Sequence, residues 1–580
     1  MKSTRLFQLV VVSRVLLAGL ALSGALAPEL YASECLFGEC RVNTTNDTHD
    51  TNLGEDRFCA DRAGDCSLRA AIETCNAGFA DRIRVPSGTY RLTMGGDPVD
   101  ATIGELKITT SLAIEGAGSV STVIDGGHDF DRTNGSRVFE VSNAGANPVV
   151  EIFGVTITRG RGGGSTGGGI EIGEGCSLHL NKSNVTFCQA LGGGGITNHG
   201  HLELIACKVN GNRAGRGGGG SEKELAGGIT NEASGQARII ASEISGNCGT
   251  RGGGIENLGR LEISESKLTN NHAIHGGAII NGNFDIDHPA HLDISNSSIE
   301  DNIAAEETAP RPCDNVDTNI ESVDWNGGAI SNGALLHRRP SPTITSFGDV
   351  QTRSSTITRN HAIRGGGIAN GDGGHAVIDW STISGNTATR GGGIYNTGPG
   401  RRFLGVVELT YSTITKNRVS GLHVPGPPFP NVVGGGISNE AFVVMEATIL
   451  AGNRVGTFGD NPDDCFSRTD ESARPIASFC NNLFGVLDDN CNLEELPPCD
   501  YFGTPAAPLD PWLQPRWLDP LANNGGPTQT HALLQNSPAI NAVVLGPGNH
   551  FCPDTDQRGR LRPAGPFCDI GAYEFNASLP

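Results

Sequence analysis

The sequence predicts an all-β protein, a right-handed parallel β-helix of about twelve coils with three short strands per coil and a short capping helix at its N-terminal end. Three observations support this fold class. A Gly-Gly-(Gly/Ala)-Ile element recurs through the middle of the chain, several copies lie 26 residues apart, and alternating apolar and polar residues lie between copies. One such repeat cannot bury a core of its own, so the repeats must stack in register.

Each repeat also carries asparagines at fixed positions. Asn follows the Ile of the glycine element by two residues in eight of nine copies, at Asn198, Asn231, Asn257, Asn281, Asn332, Asn370, Asn396 and Asn439. A second element, Ser-x-Ile-x-x-Asn, precedes most of the glycine elements, as in 242–247 and 381–386. We expect both Asn columns to occupy turns in the left-handed backbone region, with their amides bonded from coil to coil.

The strands themselves show period-two alternation, as in Leu202-Glu203-Leu204 and Leu261-Glu262-Ile263. This pattern places apolar side chains inside the stack and polar ones outside. The alternative is an α/β protein with glycine-rich loops, which requires helical patterns of about 10–15 residues between the strands. Residues 170–455 contain no such pattern, so the sequence favours the β-helix.

The amino-acid composition restricts where the protein is located and which partners it binds. Residues 1–32 have the form of a signal peptide, with Lys2 and Arg5 before an apolar run at 15–27. No later segment is apolar enough to cross a membrane, and all 16 cysteines follow the signal peptide, which predicts disulfides in a secreted or cell-surface protein. The net charge of −21 disfavours nucleic acid as a partner. The sequence does not indicate an oligomeric state.

The chain divides into four regions. After the signal peptide, residues 33–82 form a Cys-rich N-terminal cap, residues 83–460 form the β-helix, and residues 461–580 form a Cys-rich C-terminal region. Three repeats carry long insertions before the glycine element, at 216–225, 305–326 and 420–433. Insertions on one face of a repeat protein often mark its binding face, although they are equally expected as surface loops without a role.

Three sets of residues resemble known bacterial families. The Gly-Gly-x-Ile and Ile-x-x-Asn pair resembles the repeats of polymorphic outer-membrane proteins, and residues 65–72, Asp-Cys-Ser-Leu-Arg-Ala-Ala-Ile, resemble the CSLREA domain. The latter departs at Ala70, where the family has Glu, so any pairing made by that Glu is absent here. Residues 521–533, 537–540, 556–559 (Asp-Gln-Arg-Gly) and 569–572 (Asp-Ile-Gly-Ala) resemble the choice-of-anchor Q domain.

The resemblance covers most of the chain after the signal peptide. It implies a pectin-lyase-like β-helix in an exported protein of undefined activity. It also implies a disulfide between Cys552 and Cys568, which flank the Asp-Gln-Arg-Gly segment.

No catalytic motif is recognisable, neither a nucleophile elbow nor a metalloprotease or P-loop motif. One carboxylate pair stands out. Glu262 and Asp293 occupy the same outward column on successive coils, which makes them candidates for binding calcium or for acid–base chemistry. The alternative, which the sequence favours, is a solvated pair neutralised by Arg260 or Lys267.

Trp380 and Tyr411 share another column on adjacent coils. Two stacked, exposed aromatic rings form a platform for a sugar face, with Asp379 as a hydrogen-bond acceptor beside them. Burial of both rings under an inserted loop is the alternative, which the sequence favours, since large aromatic side chains are usually buried.

These features favour a secreted or surface-associated, adhesin-like binding protein whose partner is a polysaccharide or a host or cell-surface glycan. A polysaccharide lyase or glycoside hydrolase on the same scaffold is the alternative. Apart from calcium at the carboxylate pair, the sequence indicates no cofactor.

Overall fold

The computed structural model describes residues 34–579 except 53–55, 95–103, 128–134, 163–166, 191, 215–225, 283–288, 305–326, 334, 337–343, 346, 372, 398–403, 421–433, 457–460, 468–474, 495–497, 513–514 and 544–551. The expected signal peptide at 1–32 lies outside the described residues, and so do the three insertions at 216–225, 305–326 and 421–433.

The chain forms a right-handed parallel β-helix, as the sequence predicts. In each coil the strand after the glycine element belongs to sheet 1, the longer alternating strand to sheet 2, and the strand of the Ser-x-Ile element to sheet 3. The described residues form 12, 14 and 14 strands in these three sheets. Many coils add a fourth, two-residue strand after the second Asn, which the sequence did not predict; these strands form sheet 4.

Sheet 1 comprises Leu106–Ile108, Phe139–Val141, Ile170–Ile172, Ile196–Asn198, Ile229–Asn231, Ile255–Asn257, Ile279–Asn281, Ile330–Asn332, Ile368–Asn370, Ile394–Asn396, Ile437–Asn439 and Cys465–Ser467. Sheet 2 comprises Glu39–Arg41, Arg82–Val85, Leu112–Gly116, Val149–Phe153, Ser177–Asn181, His201–Ile205, Gln236–Ile240, Arg260–Ser264, Ala290–Ser295, Gly348–Arg353, Gly374–Asp379, Val406–Thr410, Phe442–Glu446 and Ile476–Ser478.

Sheet 3 comprises Gly88–Arg91, Thr122–Asp125, Thr156–Thr158, Asn184–Thr186, Lys208–Asn210, Glu243–Ser245, Lys267–Thr269, Ser298–Glu300, Thr356–Thr358, Thr382–Ser384, Thr413–Thr415, Ile449–Leu450, Leu483–Phe484 and Tyr501–Phe502. Sheet 4 comprises His272–Ala273, Ile303–Ala304, His361–Ala362, Thr387–Ala388, Arg418–Val419, Arg454–Val455 and Asn461–Pro462. Two further pairs join Gln189–Ala190 to Arg213–Ala214 and Leu335–Leu336 to Ile344–Thr345.

The helix Leu68–Asn76 covers the N-terminal end of the stack. Its N-cap is Ser67, whose hydroxyl accepts the Ala70 amide at 3.0 Å. Arg69 is buried and paired with Asp47, and its guanidinium donates to the carbonyl of Glu105 at 2.9 Å. Ala70, the residue at which the sequence departs from the CSLREA pattern, is fully buried.

The two Asn columns run through the stack as continuous ladders. In the first, each side-chain amide donates to the next at 2.7–3.0 Å, from Asn198 to Asn439. The second runs in the same way from Asn212 to Asn453 and ends on the buried carboxylate of Asp464. The side-chain amides of both columns therefore bond from coil to coil.

The predicted backbone conformation of these asparagines is wrong, because neither ladder has positive φ. The left-handed residues instead precede the Ser and Asn of the second element, as at Glu265 (φ 51°) and Asn270 (φ 55°). The chain turns its corners at these outward-facing residues, while the side chains of the ladder asparagines point inward. In the glycine element, Gly252 (φ 70°) packs so closely that a Cβ would collide with the Ile255 carbonyl.

Residues 515–543 and 552–579 form a strap that folds back over the outer face of sheet 3. The Thr356 hydroxyl donates to the Gln529 carbonyl at 2.6 Å, and the Ala572 amide donates to the Thr413 hydroxyl at 3.0 Å. At Gly571 a Cβ would lie 2.8 Å from the Thr413 hydroxyl, so glycine permits this close approach.

Five disulfides are formed among the described residues: Cys35–Cys40, Cys59–Cys66, Cys465–Cys491, Cys480–Cys499 and Cys552–Cys568. The last is the pair that the family resemblance implies, with Cα atoms 6.1 Å apart. These disulfides fit an extracellular protein. Within the described residues there is no helix with the length and hydropathy needed to span a bilayer.

Candidate functional site

The strap covers the aromatic pair singled out in the sequence. Tyr411 is only 1% exposed and belongs to the same buried apolar cluster as Ile449 and Leu518. The Arg562 guanidinium lies 5.0 Å from its ring. Trp380 packs against the same apolar cluster. The prediction of an exposed aromatic platform is therefore wrong, because the strap removes this apolar surface from water.

Because the rings are covered, Asp379 does not act as a hydrogen-bond acceptor beside an exposed aromatic platform. Its side chain is 15% exposed and lies 3.6 Å from the Arg353 Nε on the preceding coil. Burial raises the pKa of Asp379, while Arg353 acts in the opposite direction. Asp379 therefore forms an ion pair within sheet 2 rather than a hydrogen-bond acceptor beside exposed rings.

Glu262 and Asp293 are register partners on sheet 2, as expected. The Arg260 Nη2 lies 3.0 Å from the Glu262 Oε1 and 3.6 Å from the Asp293 Oδ2, so a guanidinium already bridges the two carboxylates. Arg238 approaches Glu262 from the other side at 4.0 Å. The geometry fits a neutralised surface ladder better than a calcium site, which needs oxygen ligands unshared with a cation.

Two other arrangements look catalytic but are structural. The His531 ring joins the Asp519 carbonyl at 2.7 Å to the Ser384 hydroxyl at 2.8 Å, yet His531 is 1% and Ser384 2% exposed, so no substrate reaches them. Among the described residues, one group of three metal-ligating side chains converges, Cys35, Cys40 and Cys59. Their sulfurs belong to disulfides and cannot bind a metal as thiolates.

A groove opens where the strap meets the corner between sheets 2 and 3. One wall consists of Glu265, Asn296 and Ser354, which are left-handed corner residues on three successive coils. The other wall belongs to the strap, and the groove encloses about 550 Å³. The strap residues of the lining are Pro527, Thr555, Asp556, Arg558 and Gly559.

The repeat architecture positions the stack wall. Corner residues cannot point inward, because their left-handed backbone turns the chain between two strands, so their side chains project from the rod. Glu265 is exposed and Asn296 and Ser354 are half-buried. Consecutive coils are about 4.8 Å apart, so the three side chains form a row about 10 Å long, parallel to the rod axis.

The strap wall is held rigidly by the Asp-Gln-Arg-Gly segment. The Asp556 carboxylate accepts the Arg558 amide at 2.9 Å, the Arg558 Nη2 at 2.6 Å and the Glu574 amide at 3.0 Å. The Arg558 Nη2 also donates to the Glu574 carbonyl at 2.7 Å, and its guanidinium stacks 3.6 Å from the Tyr573 ring centroid. Asp556 and Arg558 are thus satisfied by the strap itself.

Sequence reasoning found the Asp-Gln-Arg-Gly motif but not the groove. The column that holds Glu265, Asn296 and Ser354 is readable from the repeat, as the residue before the Ser of the second element. Nothing in the repeat indicates that Asp556 folds back to face this column, since it lies about 290 positions after Glu265 in the chain.

No family model matches the chain, and no curated protein matches it. The resemblance to the CSLREA and choice-of-anchor Q domains therefore stays an expectation. The similar solved structures include the Dettilon tailspike protein (13% identity, 80% of this chain and 69% of that chain, TM-score 0.35). They also include the AlgE4 A-module of Azotobacter vinelandii, a mannuronan C-5 epimerase (12%, 75% and 94%, 0.32), and pectate lyase Pel9A (12%, 94% and 100%, 0.31). Similarity at this level concerns the arrangement of strands alone.

Proposed function

We propose that this is a secreted or surface-associated, adhesin-like protein that binds a polysaccharide or a cell-surface glycan in the groove between the corner column and the strap. The observation that carries the proposal is the row of polar side chains, Glu265, Asn296 and Ser354, on three successive coils along one wall of the groove. An extended polymer lying parallel to the rod meets one of these side chains at each coil.

The chemistry of the lining suits sugar hydroxyl groups. Asn296 supplies both a donor and an acceptor, Ser354 and Thr555 supply hydroxyls, and Glu265 supplies a strong acceptor. A groove of about 550 Å³ has the size of an ordinary small-ligand site. The rigid strap wall favours binding, because little conformational freedom is lost when a ligand enters a preformed site.

Binding is better supported than cleavage. Glycoside hydrolysis generally uses two carboxyl groups, one as acid and one as base or nucleophile. The described lining contains Glu265, whose carboxylate is exposed, and Asp556, whose oxygens are already engaged by Arg558, Arg560 and Glu574. One accessible carboxylate fits a hydrogen-bonding role.

The test compares the wild type with the double variant Glu265→Ala/Asn296→Ala on a panel of immobilised polysaccharides. We expect the variant to bind at least about tenfold more weakly, since two hydrogen-bonding groups are removed, with an unchanged thermal unfolding midpoint. The matched control is Glu174→Ala/Asn181→Ala, which removes the same side chains from the surface three coils away. Equal binding by both variants excludes the groove. Release of shortened oligosaccharides by the wild type, abolished by Glu265→Gln, establishes a lyase or hydrolase instead.

A further inference from the structure

We infer that the glycan held in the groove is neutral or carries amino groups, and is not a polyuronate or a sulfated polysaccharide. This inference rests on the proposed function and deepens it by fixing the charge class of the ligand. It follows from the ion pairs and hydrogen bonds that the charged residues of the lining and its neighbours already form within the protein.

The described lining carries one uncompensated charge, and it is negative. Glu265 is exposed, whereas Asp556 and Arg558 neutralise each other. The Arg558 guanidinium is turned into the strap, where it donates to the carbonyls of Glu574 at 2.7 Å and Asn524 at 3.3 Å, and the residue is 8% exposed. Its donors are therefore directed away from a ligand carboxylate or sulfate.

Two cations of the stack that lie close to the groove wall in sequence are paired with acids. Lys267, two residues after Glu265, forms an ion pair with Glu300. Arg353, which precedes Ser354, lies 3.6 Å from Asp379. At Lys267 and Arg353, a polyanion would have to compete with these internal partners.

A second guanidinium directly follows the Asp-Gln-Arg-Gly motif, at the half-buried Arg560. The Arg560 Nη2 donates to the Gly525 carbonyl at 3.4 Å, on the strap side of the groove. This residue offers the best opportunity for an acidic sugar, so a variant at this position belongs in the test.

The net charge of the whole chain also disfavours binding of a polyanion. The chain carries a net charge of −21, and exposed charges act over a Debye length of about 8 Å at physiological ionic strength. A polyanion approaching Glu265 is repelled, while an ammonium group on a sugar ring forms an exposed ion pair with it. Such a pair strengthens binding by up to about fivefold.

The experiment measures binding by calorimetry of three probes: a chitosan oligosaccharide, an uncharged β-glucan oligosaccharide and oligogalacturonate. We expect binding of at least one of the first two and none of the third. If the chitosan probe binds, Glu265→Gln should weaken it about threefold and added salt should weaken it further, whereas Glu174→Gln, which removes a remote exposed carboxylate, should not.

The outcomes separate the two proposals. Tight binding of oligogalacturonate that is lost in Arg560→Gln, or in Glu265→Ala/Asn296→Ala, overturns the charge class and leaves a glycan-binding groove standing. Binding of none of the three probes overturns both. Binding of the neutral or amino-sugar probe that is weakened in the groove double variant and not in its control supports both.

Discussion

The side chain of Gln557 lies between two coils of the stack and binds both: its Nε2 donates to the Thr356 hydroxyl at 3.0 Å, and its Oε1 accepts from the Thr382 hydroxyl at 2.6 Å. Gln557 is fully buried. The second residue of the Asp-Gln-Arg-Gly motif thus fastens the strap to sheet 3, and the motif has a structural role in this chain.

Replacing Gln557 by Ala should loosen the strap. The change leaves the Thr356 and Thr382 hydroxyls buried without this partner, at a cost of about 1–3 kcal/mol. Hydrogen exchange should show faster exchange in residues 552–579, with little change in sheets 1 and 2. The control is Gln529→Ala, because that residue is exposed and the substitution keeps the backbone carbonyl that accepts the bond from Thr356. Unchanged exchange in Gln557→Ala would contradict a fastening role.

Replacing Asn396 by Leu should destabilise the coils around it. Its amide donates to Asn439 at 3.0 Å and to the Phe442 carbonyl at 2.9 Å, and it accepts from Asn370 at 2.9 Å. Leaving these buried groups unpaired should lower the free energy of unfolding by about 1–3 kcal/mol, measured by denaturant unfolding. Asn181→Leu, at an outward position on sheet 2, serves as the control. A loss no larger than in the control would show that the ladder contributes little.

The strap should weaken in acid through His531. Burial lowers the pKa of His531 from its ordinary value of 6.5 to about 4. Between these values the unfolded histidine binds a proton that the folded one does not, so stability falls as the pH is lowered from about 6.5 to about 4. The loss approaches about 3 kcal/mol in total.

Denaturant unfolding of the wild type and of His531→Gln at several pH values tests this expectation. The glutamine variant cannot titrate, so its stability relative to the wild type should improve as the pH falls through this range. Parallel curves for the two proteins would show that His531 is not the group responsible. The difference between the two proteins cancels the titration of the other buried groups, including the carboxyl groups whose pKa is raised.

Removing the disulfide with Cys552→Ser/Cys568→Ser should lower the free energy of unfolding by about 3 kcal/mol, since the bond closes a loop across a sequence separation of 16. Peptide mapping under non-reducing conditions should recover the two cysteines in one linked fragment. Recovery of either cysteine free, or linked to another partner, would disprove the pairing.

Calcium should bind at Glu262 and Asp293 only when Arg260 is removed. In the wild type we expect no calcium-dependent change in the thermal unfolding midpoint, because the guanidinium already neutralises both carboxylates. In Arg260→Ala the two carboxylates face each other without this cation, and added calcium should raise the midpoint relative to magnesium. If calcium raised the midpoint of the wild type as much as that of the variant, the two carboxylates would form a metal site in the native protein.

The repeat determines much of this fold, and its physical basis is local. The 26-residue spacing places Asn370 and Asn396 directly in register, and the alternating pattern places Ile378 inside the stack. These features depend on each coil meeting an almost identical neighbour, so a single chain carries enough information to predict them.

The features that the repeat does not predict depend on contacts between segments of unlike sequence. Tyr411 is buried by residues near Arg562, and Glu265 faces the strap across the groove, although no periodicity connects these positions. The backbone of the asparagines was predicted wrongly for a different reason. Tolerance of the left-handed region is a property of Asn, but these side chains point inward to bond to the next coil, and in the second element the residue before the Asn has the left-handed backbone.

The strap also determines how the rod responds to tension. It is attached to four coils in succession, through the hydroxyls of Thr356, Thr382 and Thr413 and the carbonyl of Ala447, rather than to the last coil alone. A pull transmitted through the strap therefore loads these attachments together, in shear along the axis. Unwinding the stack one coil at a time from that end first requires all of these attachments to break.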